Sequence, residues 1–219
     1  MTGVFVTGTD TNVGKTHVAC ALARRGVARG HKVFAFKPIE TGCARTAGGY
    51  VGADQELLAD AAGGWQTGPL RGVYRFPLPL APFVAATHAG RAIDLDLVVR
   101  AARDGAADHA ASFTLVEGAG GWRVPITPEA DMATLARQLQ LPVLVVARAS
   151  LGTINHSLLT LEAIERDGLG IAALVLSRRE NDEPSAATSN ANEIRRRWPG
   201  RILILSSDPT VLDPLVPPP

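Results

Sequence analysis

Gly8-Thr9-Asp10-Thr11-Asn12-Val13-Gly14-Lys15-Thr16 stands between a short apolar run, Val4–Thr7, and an amphipathic helical pattern over Lys15–Ala28. A strand that turns through glycines into a helix is the setting of a phosphate-cradling loop. Successive loop N–H groups point inward there, and the helix N-terminus adds partial positive charge, so phosphate oxygens are held. In such a loop the lysine, Lys15, reaches the β and γ phosphates, and the hydroxyl of Thr16 is offered to Mg²⁺. The strict pattern G-x-x-x-x-G-K-[ST] wants a glycine at position 9, where Thr9 stands, with Gly8 one residue earlier. The competing reading is a plain strand–turn–helix with a chance Gly-Lys-Thr. The strand before the motif and the helix after it favour the phosphate loop, with a nucleoside triphosphate and Mg²⁺ as its ligands.

Outward from this loop, apolar runs alternate with helical patterns. Strands are predicted at Val4–Thr7, Lys32–Phe36, Phe113–Glu117, Val143–Ala147, Ala172–Leu176 and Ile202–Leu205. They are continuous apolar runs rather than period-two alternations, which marks parallel strands covered on both faces. Helices are predicted near Lys15–Ala28, Gln55–Ala62, Asp94–Asp108, Met132–Leu139, Ile154–Asp167 and Ala186–Trp198. The alternation implies a three-layer α/β domain over residues 1–219, with a mostly parallel, doubly wound sheet of the P-loop NTPase kind. Gly63–Pro82, rich in Gly and Pro, is expected to be a long loop, and Asp213–Pro219 a flexible tail. Two further loops, Glu40–Gly52 and Trp122–Ala130, follow strand carboxyl ends, the edge where open α/β sheets bind ligands.

The bulk properties exclude several partners. With 22 basic and 21 acidic residues the net charge is +1, so nothing draws the chain to nucleic acid or an anionic membrane. The basic run Arg195-Arg196-Arg197 reads as a solvated face near a helix C-terminus. No apolar stretch approaches the ~20 residues that span a bilayer, and the N-terminus enters a strand without a charged-then-apolar leader. A cytoplasmic location is expected. Cys20 and Cys43 lack a partner at metal spacing; Cys20 reads as a buried thiol, and Cys43 stands alone in a Gly-rich loop.

Three further residues carry chemistry. Lys37 follows the second strand in Phe36-Lys37-Pro38-Ile39-Glu40-Thr41-Gly42 and is placed to point at the phosphate loop, with an ordinary solvated lysine as the alternative. Asp54 opens a predicted helix, where a capping role competes. Glu117 ends an apolar strand beside Gly118-Ala119-Gly120-Gly121, where a P-loop enzyme places its second Mg²⁺ contact. Thr16, Asp54 and Glu117 together supply hard oxygen ligands suited to Mg²⁺. The five histidines show no metal spacing, and His17 and His156 read as helix residues.

The motifs G-T-D-T-N-V-G-K-T, K-P-I-E-T-G, V-E-G-A-G-G-W and L-G-T-I-N-H, in that order from Gly8 to His156, resemble the dethiobiotin synthetase family. The related cobyrinic acid amide synthases share the first motif but require a glutaminase domain, for which this chain has no room. The resemblance implies an ATP- and Mg²⁺-dependent ligase that closes 7,8-diaminopelargonic acid and CO₂ (or bicarbonate) into dethiobiotin through a phosphorylated carbamate. It implies Lys37 and Lys15 as catalytic cations. Asn12, Val13, Gly14, Lys15, Thr16, His17, Asp54, Glu117, Gly118, Ala119, Gly120, Ser177 and Arg178 would surround the nucleotide. Thr16, Asp54 and Glu117 would hold the metal. Thr41, Gly118, Leu151, Gly152 and Asn155 would meet the substrate, the last three across a homodimer interface.

The chain departs from the family pattern at several points. Asn12 replaces a glutamate. Ser177-Arg178 stands where an Asn-Asp pair reads the base, with Asn181-Asp182 four residues on. Ser206-Ser207-Asp208-Pro209 follows the last strand, and Asn190 stands near a tyrosine position. Two other functions compete. A small-molecule kinase would carry a lid with arginines, and Arg71 and Arg75 form no such pattern. A partition-type nucleotide switch would carry a lysine five residues before Lys15, where this chain has Asp10.

Overall fold

The computed structural model describes residues 1–179 and 182–218. The chain opens on β1 (Gly3–Gly8), passes the glycine-rich turn and enters α1 (Lys15–Ala28). There follow β2 (Val33–Phe36), β3 (Ile39–Thr41), β4 (Ala44–Thr46), β5 (Gly49–Val51) and α2 (Ala53–Ala61). The middle of the chain forms β6 (Tyr74–Phe76), α3 (Pro82–His88), α4 (Leu95–Asp108), β7 (Phe113–Gly121) and α5 (Met132–Leu139). The last part forms β8 (Val143–Arg148), α6 (Thr153–Arg166), β9 (Ile171–Ser177), α7 (Pro184–Arg195) and β10 (Ile202–Leu205).

Six strands form one parallel sheet in the order β10-β9-β8-β1-β7-β2. The chain winds from β1 outward to β2, returns to β7, and then builds β8, β9 and β10 on the other side of β1. The expected doubly wound α/β architecture is the one observed. Burial on both faces explains the unbroken apolar runs, because successive side chains leave opposite faces of a strand. In β1, Phe5 joins a core with α3, α4, α5, α6 and α7, while Val4 and Val6 join a second core with α1 and α2. In α7 the buried Ala187, Ala191 and Ile194 keep the four-then-three spacing of one helical stripe.

Several expectations need correction. The Gly63–Pro82 stretch is not a structureless loop: it holds a 3-10 turn at Gly68–Leu70 and the strand β6, and Pro82 opens α3. β6 pairs in parallel with β3 in a separate two-stranded sheet. Three residues are too few to carry a periodic signal; Tyr74 and Phe76 are buried, and the strand forms where β3 pairs with it. The Glu40–Gly52 loop contains an antiparallel hairpin, β4–β5.

The C-terminal segment is docked where a flexible tail was expected. Pro209–Leu215 is a 3-10 helix with Leu212 fully buried, Asp213 receives two hydrogen bonds from Arg25, and His31 Nε2 lies 3.0 Å from the Pro217 carbonyl. The apolar Leu212 and Val216 alternate with prolines, so composition alone resembles a linker while the side chains fill the groove beside α1. Among the described residues, no helix is long and apolar enough to cross a membrane.

Candidate nucleotide and metal site

The carboxyl ends of β1, β2 and β7 converge on one cleft of about 810 Å³. The phosphate loop forms its floor. Gly14 is the N-cap of α1 at φ 101, a left-handed conformation that favours glycine, and it offers no side chain to the first-turn N–H groups. These donors are left for an anion. By contrast α5, which does not face the cleft, closes its N-terminus with an Asp131–Thr134 capping box. Asn12 also adopts a left-handed φ of 58, and Arg179 Nη2 holds its carbonyl at 2.9 Å.

Two lysines and two carboxylates meet above this floor. Lys15, 6% exposed, donates to the Asp10 carbonyl at 3.0 Å. Burial, and then the neighbouring Lys37 ammonium, lower its pKa to about 8. Lys37 lies 2.5 Å from Glu117 Oε1, 3.2 Å from Asp54 Oδ2 and 3.3 Å from the Gly118 carbonyl. Burial alone would push its ammonium down, but Glu117 and Asp54 outweigh burial and hold it above its ordinary value. Thr16 Oγ1 donates to the same Glu117 Oε1 at 2.9 Å. The other Glu117 oxygen, Oε2, is buried and has no hydrogen-bond partner among the described residues. An orphaned buried carboxylate oxygen is costly unless a ligand satisfies it.

Of the residues expected at the site, Asn12, Gly14, Lys15, Thr16, His17, Lys37, Thr41, Asp54, Glu117, Ala119 and Gly120 line the cleft. Val13 is buried in the core beneath the loop, and Gly118 contributes its carbonyl from the buried part of β7. Ser177 does not line the cleft: it packs under the phosphate loop, where a Cβ at Gly14 would come within 2.6 Å of its Oγ. Arg178 is turned away, its N–H on the Leu205 carbonyl and its Nε on the Asp182 carbonyl. Leu151, Gly152 and Asn155 sit at the start of α6 and do not reach this cleft within one chain, and Leu151 is fully exposed. Asn181 lies outside the described residues, while Asp182 accepts from the Arg179 N–H.

Arg148, Arg179 and Glu40 also line the cleft and were not singled out from sequence. Arg148 ends β8 at the ligand-binding edge, so strand position was a usable signal for it. Glu40 lies inside the K-P-I-E-T-G motif, but its contacts follow from tertiary pairing alone. Asp54 is not the N-cap of α2; that position is Gly52, and Asp54 is the second helical residue. Cys20 and Cys43 are both buried, and burial raises their thiols to about 12 and about 11, which disqualifies them as nucleophiles. Arg71 is engaged with Glu56 at 2.5 Å rather than held over the cleft. The Gly-rich end of β7 is anchored by Trp122, whose indole N–H donates to Asp167 Oδ2 at 2.7 Å and whose ring meets Phe5 edge-on.

Comparison with known proteins adds kinship to this geometry. A family model described as an AAA domain matches residues 2–204. An "ATP-dependent dethiobiotin synthetase BioD" from Anaeromyxobacter dehalogenans (strain 2CP-C) is 50% identical over 198 residues, covering 90% of this chain and 85% of the relative. A protein of the same name from Cellvibrio japonicus is 39% identical over 205 residues, covering 91% of this chain and 86% of that one. Among solved structures, the MinC:MinD cell division protein complex of Aquifex aeolicus aligns with TM-score 0.58 at 12% identity, covering 98% of this chain and 85% of that chain. That last likeness carries the fold alone. With the phosphate loop, Lys37, Asp54 and Glu117 gathered in one cleft and half of the 198 aligned residues shared with a named relative, the chain belongs to the family of ATP-dependent dethiobiotin synthetases.

Proposed function

We propose that this chain uses ATP and CO₂ to close 7,8-diaminopelargonic acid into dethiobiotin, releasing ADP and phosphate. The observation that carries this reading is the meeting of Lys37, Asp54, Glu117 and Thr16 beside uncapped α1 N–H groups, in a member of this family. One substrate amine takes up CO₂ as a carbamate, and a carbamate oxygen attacks the γ-phosphorus while ADP leaves. The second amine then attacks the carbamoyl carbon, and phosphate departs as the cyclic urea closes. Negative charge builds on the transferring oxygens, so fixed cations in a buried site supply the main stabilisation. Lys15 and Lys37 are those cations, and the α1 N-terminus holds the phosphates.

The residues fit Mg²⁺. Glu117 Oε2 is a buried acceptor with nothing to satisfy it among the described residues, Thr16 donates to the same carboxylate, and Asp54 shares the Lys37 ammonium with it. Among the described residues, no three His, Cys, Asp or Glu side chains come together as a metal-holding group. Two carboxylates and a hydroxyl suit an ion that keeps several waters and takes its other ligands from phosphate oxygens. Bound there, Mg²⁺ would neutralise charge on the β and γ phosphates. Thr41 is half-buried and lines the cleft, which supports it as the hydroxyl that hydrogen-bonds the carbamate or amine. The exposed Leu151 with Gly152 and Asn155 supports a homodimer in which one protomer's α6 start closes the other's substrate site. A cytoplasmic enzyme is the corresponding setting.

The test is phosphate release and product analysis with the diamine, bicarbonate and Mg²⁺, comparing ATP, CTP and GTP. A cyclic urea formed in step with phosphate supports the reading. A released phosphorylated substrate would assign a kinase, and phosphate release indifferent to the diamine would assign a nucleotide switch.

A further inference from the structure

Glu40 ends in an unusual task for a strand residue. Its Oε1 accepts from the Asp54 N–H at 2.9 Å and its Oε2 from the Gln55 N–H at 2.9 Å. These are the second and third residues of α2, the two N–H groups that an N-cap side chain ordinarily serves. The N-cap of α2 is Gly52, which has no side chain, and a Cβ there would stand 2.3 Å from Glu40 Oε2. The carboxylate that caps this helix therefore comes from β3, twelve residues back along the chain.

The arrangement ties two parts of the site together. Gln55 Nε2 donates to the Lys37 carbonyl at 3.0 Å and to the Tyr74 carbonyl at 3.4 Å. Glu40 and Gln55 thus clamp the first turn of α2 to the segment that bears Lys37. Between the clamped ends runs the β4–β5 hairpin, whose strand residues are all exposed, so the hairpin gives α2 no fixed place of its own. Asp54, held by its N–H, aims Oδ2 at Lys37 Nζ. Glu40 itself is 7% exposed and fixed by both oxygens.

We propose that Glu40 is a positioning residue: by holding the first turn of α2 against the Lys37 segment, it sets the Asp54 carboxylate where it meets the metal with Glu117 and Thr16. The proposal rests on the metal reading above. A cap supplied within the helix would stabilise α2 equally well but would leave Asp54 free to swing away from Lys37.

That difference gives the test. Glu40→Ala, Glu40→Gln and the double variant Glu40→Ala with Gly52→Ser are compared with the unaltered chain. In the double variant the introduced serine hydroxyl offers a local cap to the same two N–H groups. Its Cβ meets Gln55 Cδ at 3.2 Å, a contact relieved by a small side-chain shift. Mn²⁺ binding with a non-hydrolysable ATP analogue is read by electron paramagnetic resonance, alongside analogue binding in EDTA and thermal melting. The expected result is Mn²⁺ affinity about 10- to 100-fold weaker in all three variants, as for loss of a residue that orients a metal ligand. Metal-free nucleotide affinity stays within about twofold in every variant, since the phosphate loop is untouched.

The double variant recovers the melting temperature without the metal affinity. Unchanged Mn²⁺ affinity in any folded single variant, or its full recovery in the double variant, overturns the proposal. So does a rise confined to the diamine KM in steady-state kinetics of the same variants, which would make Glu40 a substrate contact. Failure of the unaltered chain to bind Mn²⁺ with the analogue would instead sink the metal reading on which the proposal stands.

Discussion

Lys15 is expected to make nucleotide binding depend on pH in a window where lysines are ordinarily silent. Its pKa falls from 10.5 to about 8, first because the side chain is buried and then because Lys37 lies close by. That fall corresponds to about 3 kcal/mol of disfavoured charge in the nucleotide-free chain. A bound triphosphate favours the ammonium, so binding must restore the proton wherever it is missing. With a pKa of about 8, roughly nine-tenths of the chains carry the proton at pH 7 and roughly one-tenth at pH 9. ATP affinity is therefore expected to fall about tenfold between these pH values, with proton uptake on binding near pH 8.5. Isothermal titration calorimetry in buffers of different ionisation enthalpy measures both. Lys15→Met is the control, because it keeps the nucleotide's own titration and removes this one. Parallel pH profiles for the two proteins, without proton uptake, would refute the reasoning.

The same group carries a stability signature of definite sign. Its folded pKa lies below the unfolded value, so between about pH 8 and 10.5 the unfolded chain binds more protons and folding stability rises with pH. Lys37, held above its ordinary value, does not mask this. Its stabilising contribution is complete below pH 10.5 and is lost only as pH climbs through the raised value.

Two further outcomes are expected. Lys37→Met removes the cation between Glu117 and Asp54 and leaves a buried carboxylate unpaired, a cost of about 3–5 kcal/mol. Thermal melting should drop by several degrees, with recovery on adding Mg²⁺ and nucleotide, and cyclic urea formation should fall by at least about 100-fold. Thr41→Val keeps the shape at the cleft and deletes the hydroxyl. Steady-state kinetics should give a raised KM for the diamine with little change for ATP, and equal effects on both substrates would remove Thr41 from the substrate side.

The parts of this protein read correctly from sequence are those set by contacts near in the chain. The apolar runs at Val4–Thr7 and Val143–Ala147 announce buried parallel strands because period and composition are local properties. Gly14-Lys15-Thr16 announces a glycine-capped helix start, and the structure has one at the cleft, because the turn and the helix it opens lie within a few residues of one another. Lys37 and Glu117 were expected at the site from their strand-end positions, since the carboxyl edge of such a sheet is where its ligands bind, while Asp54, at a helix start, was expected there from the family resemblance.

Tertiary structure decided what depends on distant partners. β6 is a strand only because β3 lies beside it, and the proline-rich tail is ordered only because α1 offers a groove for Leu212 and Val216. Ser177, expected near the nucleotide, has its Oγ beneath Gly14 of the phosphate loop, a neighbour far off in the chain. Glu40 becomes a helix cap only when folding carries it across the hairpin to Gly52. A sequence window records which side chains are available. Which of them meet is settled by the closing of the sheet, which brought Lys37 and Glu117 together across 80 residues.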